Sequence, residues 1–504
     1  MKLRYLSYCL LFFVFVKAHA NITPNSLFSD HMVLQQGVTV PVWGNAAIGE
    51  RVTIHFNGQT VSTIARKGKW VLSLKKLEAG GPFTMTIIGN DTVQINDIMV
   101  GEVWLCSGQS NMEMPVAGTS KSYPPLVDRD KEVAEADYPM IRQYHVPKKY
   151  ATGEVADAGG QWKVCSPATV ADFSAVGYFF ARDLYKAIQV PVGILFSAYG
   201  GTPAEFWTSR AVLEKDPRLT DMVREYDKAV GEYPAKLEKY IEAMPLLYQQ
   251  YGLDSGLAAM AGKPLPRKPA PPLNPSESRM IAGLYNGMIA PLIPFPIKGV
   301  CWYQGEANRA RPTQYITLLT EMINSWRREW HEKKMPFLVV QVAPFKDMPP
   351  EIREAQLLVV KDVKNTALIV TTDCGDSANI HPALKQPVGY RLSLAARALA
   401  YDESIEYSGP MPHSALIKGA EVVLSFSHTG KGLTTADSVL TGFTIAGPNQ
   451  KFLPAHAKIS GKKIVLSNPE VPNPLHIRYG WRNVPDGNLF NLDGLPASPF
   501  RIDY

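Results

Sequence analysis

The run Val103-Trp104-Leu105-Cys106-Ser107-Gly108-Gln109-Ser110-Asn111-Met112 constrains this chain more than any other. A short apolar stretch stops at Gly108 and passes straight into small polar residues. That pattern predicts a buried strand, a tight turn and the first turn of a helix. A serine delivered there sits at the carboxyl edge of a sheet, where N–H groups opening the helix can hold a developing oxyanion. Taken alone, the same residues also suit an ordinary loop in which Ser110 merely caps a helix. The rest of the chain has to decide.

Downstream, the period of the apolar residues changes from two to between three and four. Phe173, Val176, Phe180, Leu184 and Ala187 predict a helix over 173–188, after which comes the apolar run Val190 to Phe196. Strand-like runs at Ile297 to Tyr303, Phe337 to Val342 and Ala367 to Thr371 alternate with helical patterns near Thr313 to Trp330 and Lys385 to Ala400. Alternation of this kind predicts an α/β fold with a doubly wound parallel sheet over residues 102–405. Residues 211–278 interrupt the rhythm with a charged helical stretch and the run Pro264 to Pro272. They predict an inserted helical hairpin with an extended return over the carboxyl edge, either shaping a substrate cleft or decorating the packing.

All-β segments flank this region. In residues 21–101, short alternating runs such as Val38 to Trp43, Val52 to Phe56 and Phe83 to Ile88 are separated by turns including Asn57-Gly58, which predicts a small N-terminal β-sandwich. Residues 406–504 return to hairpin-like runs at Val422 to Ser427, Ala457 to Ile459 and Ile464 to Leu466, predicting a C-terminal β domain.

The first 20 residues carry Lys2, Arg4 and Lys17, an apolar run from Leu10 to Val16, and Ala18-His19-Ala20. They predict a cleaved secretory signal and hence a periplasmic or extracellular protein. That apolar run is too short to span a bilayer, so no membrane span is expected. With a formal charge of +6, three positive charges of which lie in the leader, nothing suggests nucleic acid as a partner. Beyond the leader, Cys106, Cys165, Cys301 and Cys374 are too few for a disulfide scaffold, and Cys106 and Cys301 read as small buried hydrophobes. No His or Cys cluster has metal-ligand spacing, so no metal and no cofactor are expected.

In a doubly wound sheet the loops after the strands converge at one edge. Here they bring Ser110, the glycines Gly200 and Gly201, Gln304 as an amide donor, and His381 from the loop Asp373 to Pro382. Hydroxyl, base and oxyanion donors are what acyl transfer requires. Each residue has a bland reading: Gly200-Gly201 as a turn, Gln304 as a strand end, Glu306 as a solvated carboxylate, His381 as a surface histidine. Their occurrence together, in strand order, favours the catalytic one.

Gly108-Gln109-Ser110-Asn111-Met112, Gly200-Gly201-Thr202, Trp302 to Asn308 and Ile380-His381-Pro382 resemble the motif blocks of the sialate O-acetylesterases, a branch of the SGNH (GDSL-like) hydrolases. Leu27 to Gln35, Tyr285 to Leu292, Arg353-Glu354-Ala355-Gln356 and Gly494 to Arg501 extend the resemblance over essentially the whole chain after the leader. The resemblance implies Ser110 as nucleophile, His381 as general base, and an oxyanion hole from the Ser110 N–H, a Gly200 or Gly201 N–H and the Gln304 side chain. The wider superfamily places an Asp three residues before the His, and this branch often has Asp-Ile-His-Pro; this chain has Ala378 and Asn379 there. Asp376, Glu306 or a backbone carbonyl then stands as the group orienting His381, with Asp376 preferred. Met112 breaks the Gly-x-Ser-x-Gly elbow of α/β-hydrolases. The implied function is an exported carbohydrate O-acetylesterase acting on O-acetylated sialic acid through a serine acyl-enzyme. Acetylated xylan or another acetylated glycan is the alternative substrate, and a non-catalytic secreted glycan-binding protein is the alternative of another class. Oligomeric state is open.

Overall fold

The computed structural model describes residues 21–118 and 123–504. The expected signal at 1–20 lies outside the described residues.

The organising strand is β1 (Thr92–Gly108), 17 residues long. Its first six residues are mostly exposed or partly exposed, and from Ile98 onward every residue is buried, as expected of a strand entering a sheet covered on both faces. That first half pairs antiparallel with residues Gly80–Ile88 and, near its middle, parallel with Val33–Gln35. One continuous strand therefore crosses the domain boundary expected at 101/102, and the N-terminal β segment shares its backbone with the central sheet.

The remaining central strands are β2 (Tyr138–His145), β3 (Gln161–Cys165), β4 (Val192–Ala198), β5 (Gly299–Tyr303), β6 (Phe337–Val340) and β7 (Thr366–Ile369). They lie in the order β3-β2-β4-β1-β5-β6-β7, with β3 antiparallel at the edge and the other six parallel. The order of connection reverses at β1, so the crevice for a ligand falls at its carboxyl end. That is where Ser110 lies.

Helices α1 (Ser110–Glu113), α2 (Ala175–Ile188), α3 (Thr220–Met260), α4 (Pro312–Glu329), α5 (Pro350–Asp362) and α6 (Gln386–Ala400) complete this region. α2 and α6 cover the face carrying Trp104, Cys106, Cys301 and Tyr303. α4 and α5 cover the opposite face, with Leu105, Val300 and Trp302. The wound α/β architecture thus follows from strands that are apolar on both faces.

Several elements differ from the sequence-based expectation: β2 and β3 were not expected, and β3 runs antiparallel at the edge of a sheet expected to be parallel. α2 begins two residues late because Ser174 caps it: Ser174 Oγ accepts from Gly177 N at 3.1 Å and donates to Met112 O at 2.7 Å, tying the helix to α1. α5 was not read from the sequence at all. The insertion holds one 41-residue helix, α3, instead of a helical hairpin, although it does have an extended return. Only Met222 and Val223 of α3 are buried.

After Ala400 the described residues form strands and no further helix. Met411–Lys418, Glu421–Ser427, Lys463–Ser467 and His456–Ser460 make one four-stranded antiparallel sheet; Phe443–Ala446, His476–Tyr479 and Phe500–Asp503 belong to another. Arg353 on α5 is 0 % exposed and clamps this segment to the central unit, donating to Val342 O (3.1 Å), Arg482 O (3.1 Å) and Asn483 O (2.8 Å).

Candidate active site

Gly108 makes the turn at the end of β1. Its φ is +139°, and a Cβ there would lie 2.2 Å from Tyr303 O, so a side chain is excluded on both conformational and steric grounds. The next residue, Gln109, locks the turn to the β5 loop: its N–H donates to Tyr303 O at 3.0 Å, and its Oε1 accepts from Gly305 N and Ala307 N at 3.4 and 3.2 Å. Ser110 then opens α1, buried but for 7 % of its surface.

His381 Nε2 stands 2.8 Å from Ser110 Oγ although 271 residues separate them. This is the contact a base needs to take the hydroxyl proton. The ring is flanked edge-on by Tyr123, with centroids 5.0 Å apart. The loop carrying it is shaped by its own side chains. Asp376 Oδ1 accepts from Ala378 N (2.8 Å) and Asn379 N (3.2 Å), and Asn379 Oδ1 accepts from His381 N (2.9 Å). Asp376 thus braces the backbone of the loop that carries His381.

Gly200 closes over the serine. A Cβ there would meet Glu113 Oε2 at 3.1 Å, Tyr123 Oη at 3.2 Å and Ser110 Cβ at 3.3 Å, so three groups converge on the space a side chain would fill. Its N–H donates to Glu113 Oε2. Glu113 Oε1 in turn lies 2.5 Å from Lys148 Nζ, which sits 4.7 Å above the Tyr199 ring. Gly201 occupies a left-handed turn position with φ +73°.

Gln304 lies on the same edge, but its carboxamide is fully buried and its nitrogen donates to Thr202 O (3.2 Å) and Asn308 Oδ1 (2.7 Å). Its oxygen accepts from Tyr315 Oη at 3.0 Å. In this arrangement the expected oxyanion donor is committed to holding the Gly200 loop against the β5 loop, because burial leaves no polar group of the amide free to face outward.

Sequence reasoning missed Glu113, Lys148, Asn111 and Lys385, and treated Glu306 only as a possible orienting acid. Asn111 is fully buried behind Ser110, between Glu306 and Lys385. Burial pushes the Glu306 carboxyl up, against the Asn111 hydrogen bond, and pulls the Lys385 amine down to about 7, against the pull of Glu306. Charged residues in loops ordinarily face solvent, and no periodicity in the sequence marks these as buried.

Comparison with known proteins finds relatives over nearly the whole chain. A family model described as carbohydrate esterase, sialic acid-specific acetylesterase, matches residues 278–397. A sialate O-acetylesterase of Rattus norvegicus is 31 % identical over 94 % of this chain and 93 % of its own. That of Homo sapiens is 28 % identical over 94 % and 91 %. The crystal structure of a carbohydrate acetylesterase from Xanthomonas citri aligns with a TM-score of 0.81 at 34 % identity, covering 96 % of this chain and 100 % of that one. A wound sheet with a serine and a histidine in contact at its switch point, together with these relatives, defines a serine-type carboxylic-ester hydrolase. The chain belongs to the sialate O-acetylesterase family.

Proposed function

We propose that this protein is an exported O-acetylesterase that removes acetyl groups from O-acetylated sialic acid through a serine acyl-enzyme. The observation that carries the reading is the 2.8 Å contact between Ser110 Oγ and His381 Nε2 at the end of β1. His381 takes the proton from Ser110 as its oxygen attacks the acetyl carbon, and the protonated imidazole delivers that proton to the departing sugar oxygen. Water, deprotonated by the same ring, then releases acetate. The Ser110 N–H at the start of α1 and the Gly200 N–H are the oxyanion donors, the second after the substrate oxygen displaces Glu113 from it. Asp376 acts by shaping the loop that presents His381. The basic and apolar character of the first 20 residues supports export.

A second reading is an esterase of another acetylated carbohydrate, such as xylan, in keeping with the likeness to the Xanthomonas citri carbohydrate acetylesterase. Acetate release from O-acetylated sialic acid and from acetylated xylan, compared for wild type and Ser110→Ala, separates the two. Wild type should label with a fluorophosphonate, and Ser110→Ala should lose labelling and at least ~10³-fold in turnover. An active Ser110→Ala protein would refute the mechanism, and faster release from xylan would reassign the substrate.

A further inference from the structure

Asn111 follows the nucleophile, and all the hydrogen-bonding groups of its carboxamide are engaged. Nδ2 gives one hydrogen to Glu306 Oε1 at 2.6 Å and the other to Ile380 O at 3.0 Å, while Oδ1 accepts from Lys385 Nζ at 2.5 Å. Ile380 immediately precedes His381. One buried amide therefore ties the start of α1 to the loop of the base, and with it the separation of Ser110 from His381.

An amide can occupy such a site in two orientations of nearly equal shape, and only its partners choose between them. Turned over, Asn111 would set its oxygen against Ile380 O and a Glu306 oxygen, acceptor against acceptor. An ammonium has three donors and no acceptor, so Lys385 admits only the oxygen end. Glu306 and Lys385 are 2 % and 1 % exposed, so solvent does not substitute for either, and Glu306 Oε2 has no hydrogen-bond partner among the described residues. Lys385 stands 5.3 Å over the Tyr303 ring.

We infer that Lys385 is a positioning residue of the esterase reaction: by fixing the orientation of Asn111, it holds His381 in register with Ser110. The inference rests on the proposed roles of Ser110 and His381. It explains why a lysine is buried at a site where it touches neither reacting atom. The titratable groups facing the relay are Cys374 and Tyr303 on the Lys385 side and Arg309, Tyr303 and Tyr315 on the Glu306 side. A neutral amine carries a lone pair and accepts either end of the amide, so deprotonation of Lys385 removes the discrimination.

Lys385→Met keeps the volume and removes the donor; Lys385→Gln presents a donor and an acceptor, as the neutral amine does. Both should be compared with wild type for hydrolysis of 4-nitrophenyl acetate and for the rate of fluorophosphonate labelling, across pH. Lys385→Met is expected to lower kcat and the labelling rate together by about 10²-fold with KM nearly unchanged, the scale of a misplaced reacting pair. Lys385→Gln should stay below wild type at neutral pH and should lack the alkaline decline of wild type. A folded Lys385→Met protein that labels at the wild-type rate overturns the inference. If Lys385→Met does not fold, identical pH profiles for wild type and Lys385→Gln overturn it. Wild-type protein that fails to label would instead refute the role of Ser110, and the relay with it.

Discussion

Ser110 and Lys385 show burial serving opposite ends. Ser110 is buried next to an imidazole that can accept its proton, whereas Lys385 is buried at a cost to its own charge, which draws its amine from 10.5 down to about 7. Between these two values an unfolded chain carries a proton that the folded chain has released. The contribution of Lys385 to stability therefore rises with pH across that window. Urea unfolding of wild type and Lys385→Met should show the variant losing this rise: the difference in unfolding free energy between the two should shift toward wild type from about pH 7 to about pH 10. A pH-independent difference would mean that the amine is not depressed. Ser110 and His381 were legible in the sequence because their motifs are unusual. The engagement of Gln304 with Thr202 O was not, since a hydrogen-bond partner 102 residues away leaves no local trace.

α3 extends the molecule without contributing much to its core. Its buried residues are Met222 and Val223, while Leu246, Leu253, Leu257 and Met260 are exposed. Two prolines, Pro234 and Pro245, lie inside it, each lacking the N–H of one helical hydrogen bond. Tyr248 Oη reaches Pro269 O at 3.3 Å, so helix and return run side by side at that level. Deleting residues 249–268 and joining the ends with a short Gly-Ser linker should leave the thermal midpoint within a few degrees of wild type, because no buried apolar contact is removed. Labelling of Ser110 should be unchanged. A selective loss of activity on polymeric glycan, with small esters unaffected, would assign the insertion to the substrate cleft; equal activity on both would make it decoration. The sequence showed the interruption through its charge and its prolines, but one helix and a hairpin share the same periodicity, so the expected hairpin proved to be a single long helix.

At the scale of the whole molecule, two devices join segments that the sequence presents as separate. β1 passes through the expected boundary at 101/102 without a break, so the N-terminal β segment cannot move independently of the strand that presents the nucleophile. Arg353 fastens the C-terminal β segment by donating to carbonyls at 342, 482 and 483 from full burial. Arg353→Met should therefore destabilise the protein by on the order of 3 kcal/mol, since it leaves several buried carbonyls unpaired. Urea unfolding measures the loss, and limited proteolysis should cut first within the C-terminal β segment. An unchanged midpoint would show that water replaces the guanidinium without penalty.

By itself the sequence determined the alternation that winds the sheet, the strand-to-helix turn that delivers Ser110, and the family to which the motif blocks point. Each of these is written in residues close together, as apolar period, as glycine at a turn, or as a compact motif. The tertiary structure alone decided which polar groups meet: that Asn111 stands between Glu306 and Lys385, that Glu113 holds the Gly200 N–H, and that Gln304 braces two loops. Such contacts depend on the folding of distant loops onto one sheet edge, where burial favours the pairing of polar groups.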